Sequence, residues 1–82
     1  NEVVPQDNLM ATARSWAEQI MECSPMSIRA SKQAVYAGLD KPSLQEAMLS
    51  DYPAVKTMRE SDDFVEGPKA FAEKRPPNWK GA

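Results

Sequence analysis

Three acidic side chains stand together at Asp62, Asp63 and Glu66, and just beyond them the basic Lys69, Lys74, Arg75 and Lys80 are interleaved with the aromatic Phe71 and Trp79. Two chemistries suit these residue types. A carboxylate pair does general acid/base work when burial or a like charge in a cleft tunes one member. Asp62 and Asp63, however, follow Ser61 at an apparent helix start, where negative side chains suit the positive end of the dipole. They are therefore read as a cap and first turn, and no catalytic residue is assigned. The same oxygens lack the regular loop spacing of a calcium site, and no metal ligand set is assigned either. Cations interleaved with aromatic rings can hold phosphate and stack a purine, each stacked base contributing about 1–3 kcal/mol. Phe71 as a core residue of the last helix, and Trp79 as a lid over Pro76-Pro77, are the alternatives to that second chemistry.

Charge distribution is consistent with the anion-binding reading, with a merely solvated basic terminus as the alternative. Residues 1–68 hold six basic and eleven acidic side chains, whereas residues 69–82 hold four basic and one acidic. A basic terminus on an acidic body suggests a local anion site, since a nucleic-acid surface normally shows a broader basic face. There is no histidine, so imidazole catalysis and His-ligated zinc are excluded, and the single Cys23 has no partner for an internal disulfide. Hydrophobic content of 41% and charged content of 27% are those of an ordinary globular chain. No apolar run reaches the roughly 20 residues of a membrane-spanning helix.

The elements that must position these residues read as all-α, a small orthogonal bundle of three to five short helices, with residues 1–5 as the end of a strand or linker and 6–82 as the helical domain. Asp7 is a candidate N-cap, and Leu9, Ala13, Trp16, Ala17 and Ile20 then share one helical face, with Trp16 as a core anchor. Ser24-Pro25 starts a second helix, because serine caps and proline at the first position loses only an unpartnered amide. Gly38 is expected to end it in the left-handed conformation. Ser43-Leu44-Gln45-Glu46 is a capping box, and Pro53 predicts a kink or break between Leu49 and Ala54. Ser61 opens the last helical segment. Gly67-Pro68 is expected to split it into a first turn and a final helix through about Lys74, before Pro76-Pro77 ends it.

Taken in order, Val3-Val4-Pro5, Asp7-Asn8-Leu9, Ser24-Pro25-Met26-Ser27-Ile28 with Lys32, Ser61-Asp62-Asp63 with Glu66-Gly67, and Ala70-Phe71-Ala72-Glu73-Lys74-Arg75-Pro76 resemble the C-terminal region of the enoyl-CoA hydratase/isomerase (crotonase) family. The resemblance covers nearly the whole chain. It implies a helical domain that follows a spiral α/β core, helps trimers or dimers of trimers assemble, and covers part of an acyl-CoA site. Phe71 and Lys74 match positions that meet the adenine and phosphate end of coenzyme A on a neighbouring subunit. The family's third helix also helps wall the acyl pocket, which makes Tyr52, Val55 and Met58 candidates for that surface, with core packing as the alternative.

The reaction implied for the parent is hydration of a 2-enoyl-CoA, by a thioester enolate held on two backbone amides of that core. The core, and the catalytic groups with it, would lie outside this chain, which needs no cofactor of its own. A stand-alone helical adaptor and a free-standing CoA-binding module are the other classes that fit. The expected compartment is the cytoplasm, or a mitochondrial or peroxisomal matrix if a targeting segment is missing. Neither nucleic acid nor membrane is an expected partner.

Overall fold

A computed structural model describes all 82 residues, and every regular element in it is helical. A 3-10 turn at Gln6–Asn8 leads directly into α1 (Leu9–Met21), followed by α2 (Pro25–Leu39), α3 (Leu44–Leu49), α4 (Pro53–Arg59) and α5 (Asp62–Ala72). The all-α expectation holds.

Local chemistry explains most boundaries. Ser24 Oγ accepts from the Met26 amide, and Pro25 stands at the first position of α2. Ser43 Oγ accepts from the Glu46 amide to open α3. That helix ends after two turns because Pro53 cannot continue it, and its last carbonyls are taken by hydroxyls: Ser50 Oγ donates to Glu46 O at 2.6 Å and Tyr52 Oη to Ala47 O at 2.7 Å. The break expected around Pro53 is thus present, with Pro53 as the first residue of α4. Tyr52 gives that helix no side-chain cap, and Gln33 supplies one from α2, its Oε1 accepting from the Ala54 amide at 2.7 Å. α2 packs chiefly on α4, then on α3, and α4 leads on to α5.

Four expectations are corrected. Asp7 lies inside the 3-10 turn, and α1 has no side-chain cap, because the chain is already turning when it reaches Asn8. Gly38 is not left-handed; it lies within α2, where a Cβ would stand 3.4 Å from Tyr52 Oη and 3.7 Å from Ala47 Cβ, so it serves close packing. Trp16 is 40% exposed and donates from Nε1 to Glu2 at 3.1 Å; it lines a shallow cleft with Leu9, Ala13 and the first residues of the chain, Ile20 stays open, and no residue of α1 enters a core. Gly67-Pro68 does not divide α5, which runs unbroken past it and ends at Ala72 instead of Lys74. Proline disfavours the helical conformation of the residue before it by striking that residue's Cβ. Gly67 has none, so the helix passes through.

Very little is enclosed. Six of the 82 residues are buried, of which Met26, Ala30 and Ala70 are apolar, while Leu39, Leu44, Met48 and Leu49 stand open to solvent. The molecule extends 43 × 39 × 18 Å with a radius of gyration of 16.0 Å. A self-contained domain of this length would have a radius of about 12 Å. The helices form an open plate.

Candidate functional site

The C-terminal tail is where polar chemistry concentrates, and it is tied back onto α5 by two carboxylates one helical turn apart. Asp63 is only 2% exposed. Its Oδ2 accepts from Ser24 Oγ at 2.8 Å and the Gly81 amide at 3.1 Å, and its Oδ1 accepts from the Lys80 amide at 2.7 Å. Burial pushes this carboxyl up, but the Lys80 amide, the Ser24 hydroxyl and the Gly81 amide together outweigh it and hold the group below its ordinary 3.8. Asp63 therefore joins the start of α2, the start of α5 and the end of the chain. A spacing of 39 residues between Asp63 and Ser24 leaves no trace in local sequence pattern.

Glu66 is the second anchor. Arg75 Nη1 donates to Glu66 Oε1 at 2.6 Å and Nη2 to Oε2 at 3.0 Å, while Arg75 Nε donates to Glu73 at 2.5 Å. The Asn78 amide adds a bond to Glu66 Oε1 at 2.7 Å. The Arg75 hydrogen bonds first, and the Asn78 amide second, hold the Glu66 carboxyl down to about 2. Glu66 and Glu73 in turn raise the Arg75 guanidinium above its already high value.

Between these anchors the helix ends in an unusual way. The Lys74 amide donates to Phe71 O at 3.2 Å and the Arg75 amide to Ala70 O at 3.1 Å. This is the paired closure of a Schellman motif, which demands a left-handed residue at the position of Lys74. Lys74 accordingly has φ +53°, the one non-glycine residue in this region of backbone space.

The constellation read from sequence is thus sorted by the structure. Trp79 Nε1 donates to Glu22 O at 2.9 Å, and its ring lies against Gly67, where a Cβ would come within 3.2 Å of it. Arg75 is held by Glu66 and Glu73, and Lys80 Nζ pairs with Asp62 at 3.1 Å. Phe71, by contrast, is 88% exposed, and the ammonium of neighbouring Lys74 makes no ion pair or hydrogen bond. Lys69, in the last turn of α5, is likewise without an ion pair, so one free ring, Phe71, and two free cations, Lys69 and Lys74, remain at the C-terminal end of α5.

The other three candidates separate. Tyr52 and Val55 line an open cleft of about 500 Å³ with Pro53, Lys56 and Arg59. Met58 lines a different cleft of about 480 Å³, between the start of α2 and α5, with Ser24, Phe64 and Trp79. The Tyr52 hydroxyl is already committed to Ala47 O.

The model of one protein family, enoyl-CoA hydratase/isomerase, matches residues 1–82. The chain is 40% identical over 87 residues to carnitinyl-CoA dehydratase from Salmonella typhi and equally to that from Salmonella heidelberg, covering 99% of this chain and 32% of each relative. Among solved structures it is similar to a protein from Novosphingobium aromaticivorans assigned as a short chain enoyl-CoA hydratase, with TM-score 0.91, 33% identity, and coverage of 100% of this chain and 32% of that one. An enoyl-CoA hydratase/isomerase from Mycobacterium paratuberculosis superimposes with TM-score 0.83 and 36% identity, over 99% of this chain and 32% of that one. The chain spans about a third of the length of these relatives.

Proposed function

The chain belongs to the enoyl-CoA hydratase/isomerase family, and we propose that it serves as the part of such an enzyme that grips the adenine and phosphate end of a CoA thioester and covers the acyl site. The observation that carries this reading is the pair left free at the end of α5. Phe71 offers an open ring face for the purine, and Lys74 offers an unpartnered ammonium for a phosphate, with the unpaired Lys69 in the last turn of α5 as a second cation, while Arg75, Trp79 and Lys80 are bound internally. None of the side chains described here is assigned a catalytic role. The thioester enolate and its two backbone amides belong to an α/β core preceding these helices.

The names of the relatives fit one chemical step, since a dehydratase removes and a hydratase adds water. Hydration of a 2-enoyl-CoA, or its reverse, is accordingly the proposed reaction of the whole protein. The open apolar faces of α1, α2 and α3 support a further part of the reading: they meet that core and neighbouring copies in a trimer or dimer of trimers. Tyr52 and Val55 are proposed for the acyl-pocket wall, with Met58 contributing from the adjacent cleft.

Kinetics of the full-length protein with a 2-enoyl-CoA test the assignment. Lys74→Ala and Phe71→Ala should each raise KM about three- to tenfold with kcat little changed, as expected for ground-state contacts to a non-reacting part of the substrate. A fall in kcat at unchanged KM would overturn the assigned roles.

A further inference from the structure

Lys74 is an odd residue to find where it is. Left-handed backbone brings Cβ against the following carbonyl, a cost that glycine escapes, and helix closures of this type usually place glycine there. Here a long cationic side chain occupies the position instead. Strain of this kind persists only where the surroundings over-determine the backbone, and the surroundings can be named.

Arg75, the next residue, is gripped on both sides. Glu66 takes two of its N–H groups in the parallel, two-pronged geometry that a planar guanidinium makes with a carboxylate and a lysine cannot, and Glu73 takes a third. The Asn78 amide closes onto the same Glu66 oxygen that receives Arg75 Nη1. The backbone after Lys74 is therefore fastened to the middle of α5, while the backbone before it is fastened by the α5 hydrogen bonds and the two closure bonds to Ala70 and Phe71. The arrangement has an electrostatic consequence as well. Glu66 and Glu73 are the acidic groups nearest to Lys74 in sequence, and both are occupied by Arg75, so neither neutralises the Lys74 ammonium.

We propose that Glu66 and Arg75 are positioning residues for coenzyme A recognition: their two-pronged pair fixes Lys74 in its left-handed conformation beside Phe71 and keeps its ammonium free for the phosphate. The inference rests on the reading of Phe71 and Lys74 as CoA contacts. The pair is present wherever the protein is folded near neutrality, since the Glu66 carboxyl stays ionised far below that range.

The test uses the full-length protein and one acyl group presented on two carriers, coenzyme A and pantetheine, the second lacking the phosphorylated adenosine. Glu66→Gln should raise KM for the CoA thioester about three- to tenfold, leaving kcat and the pantetheine-thioester KM unchanged. Arg75→Lys keeps a cation but loses the parallel geometry, and should show the same selective rise; it also serves if Glu66→Gln does not fold. In a Lys74→Ala background, Glu66→Gln should add nothing, because it acts through the ammonium that is gone.

Equal losses on both carriers, or a Glu66→Gln effect that persists without Lys74, would mean a structural role only and overturn the proposal. So would an unchanged CoA KM in Glu66→Gln and Arg75→Lys. If Lys74→Ala shifts the ratio of the two KM values and the pair variants do not, only the positioning role fails. If Lys74→Ala itself leaves that ratio unchanged, the CoA reading falls and this inference with it.

Discussion

If Lys74 has the proposed CoA-binding role, it sets stability against binding within one residue. Relief of a left-handed conformation is worth roughly 1–2 kcal/mol, and the added unfolded-state freedom of glycine takes back about 0.5–1. Lys74→Gly is therefore expected to be more stable by about 0.5–1 kcal/mol in denaturant titration, while its KM for a CoA thioester rises as in Lys74→Ala. A destabilised Lys74→Gly would mean that the closure is not strained. The two anchoring carboxylates make a separate prediction. Asp63 and Glu66 are both held below their unfolded values of 3.8 and 4.5, so the stability they contribute is complete above about pH 5 and is lost as pH falls from 4.5 towards 2. Glu66→Gln should flatten the acid limb of an unfolding profile followed by circular dichroism. An acid limb as steep as in the parent would show that Glu66 is not one of the groups being protonated.

At the scale of elements, the two helical glycines should respond in opposite ways to the same substitution. Replacing glycine by alanine within a helix gains up to about 1 kcal/mol from propensity alone. At Gly38 the added methyl would meet Tyr52 Oη at 3.4 Å and Ala47 Cβ at 3.7 Å, an ordinary fit, so Gly38→Ala should stabilise by about 0.5 kcal/mol. At Gly67 it would come within 3.2 Å of a Trp79 ring that is pinned through Nε1, and it would also strike the Pro68 ring. Overpacking of this kind costs about 1–3 kcal/mol, so Gly67→Ala should lose stability and shift the Trp79 emission; a stabilised variant would show that the ring is free to move aside.

The same two glycines mark how far the sequence was legible. Ser24-Pro25, Ser43 and Pro53 announced their boundaries because caps and prolines act within one turn. Gly38 and Gly67-Pro68 were misread because local rules treat glycine and proline as punctuation, whereas here Tyr52 and Trp79, 14 and 12 residues away, decide what the glycines are for. Phe71 and Lys74 were visible as types in a basic tail, and their place at one helix end followed. The Ser24–Asp63 and Glu66–Arg75 links were not visible, since their spacings fall outside any helical repeat.

For the whole molecule, surface area is the quantity that decides. The chain exposes 6907 Å², whereas a self-contained monomer of 9.1 kDa would expose about 4,900 Å². The excess of about 2,000 Å² is what one side of a large, obligate interface contributes. Apolar residues in that excess should behave unlike core residues. Leu44, Met48 and Leu49 are about three-quarters exposed, so truncating them removes almost no buried contact within the chain. The triple change Leu44→Ser, Met48→Ser, Leu49→Ser should leave the helicity of the isolated 82-residue chain nearly unchanged, yet lower its tendency to self-associate in sedimentation. That isolated chain should also melt broadly and take up CoA only weakly, because its three buried apolar side chains cannot support a cooperative transition. In the full-length protein the same triple change should be severe, dispersing the assembly or lowering the melting temperature by several degrees, since there these side chains would be covered. A full-length variant that assembles and melts like its parent would show that this face is left open. A sharp, monomeric transition in the isolated chain would show that the plate is stable without any cover.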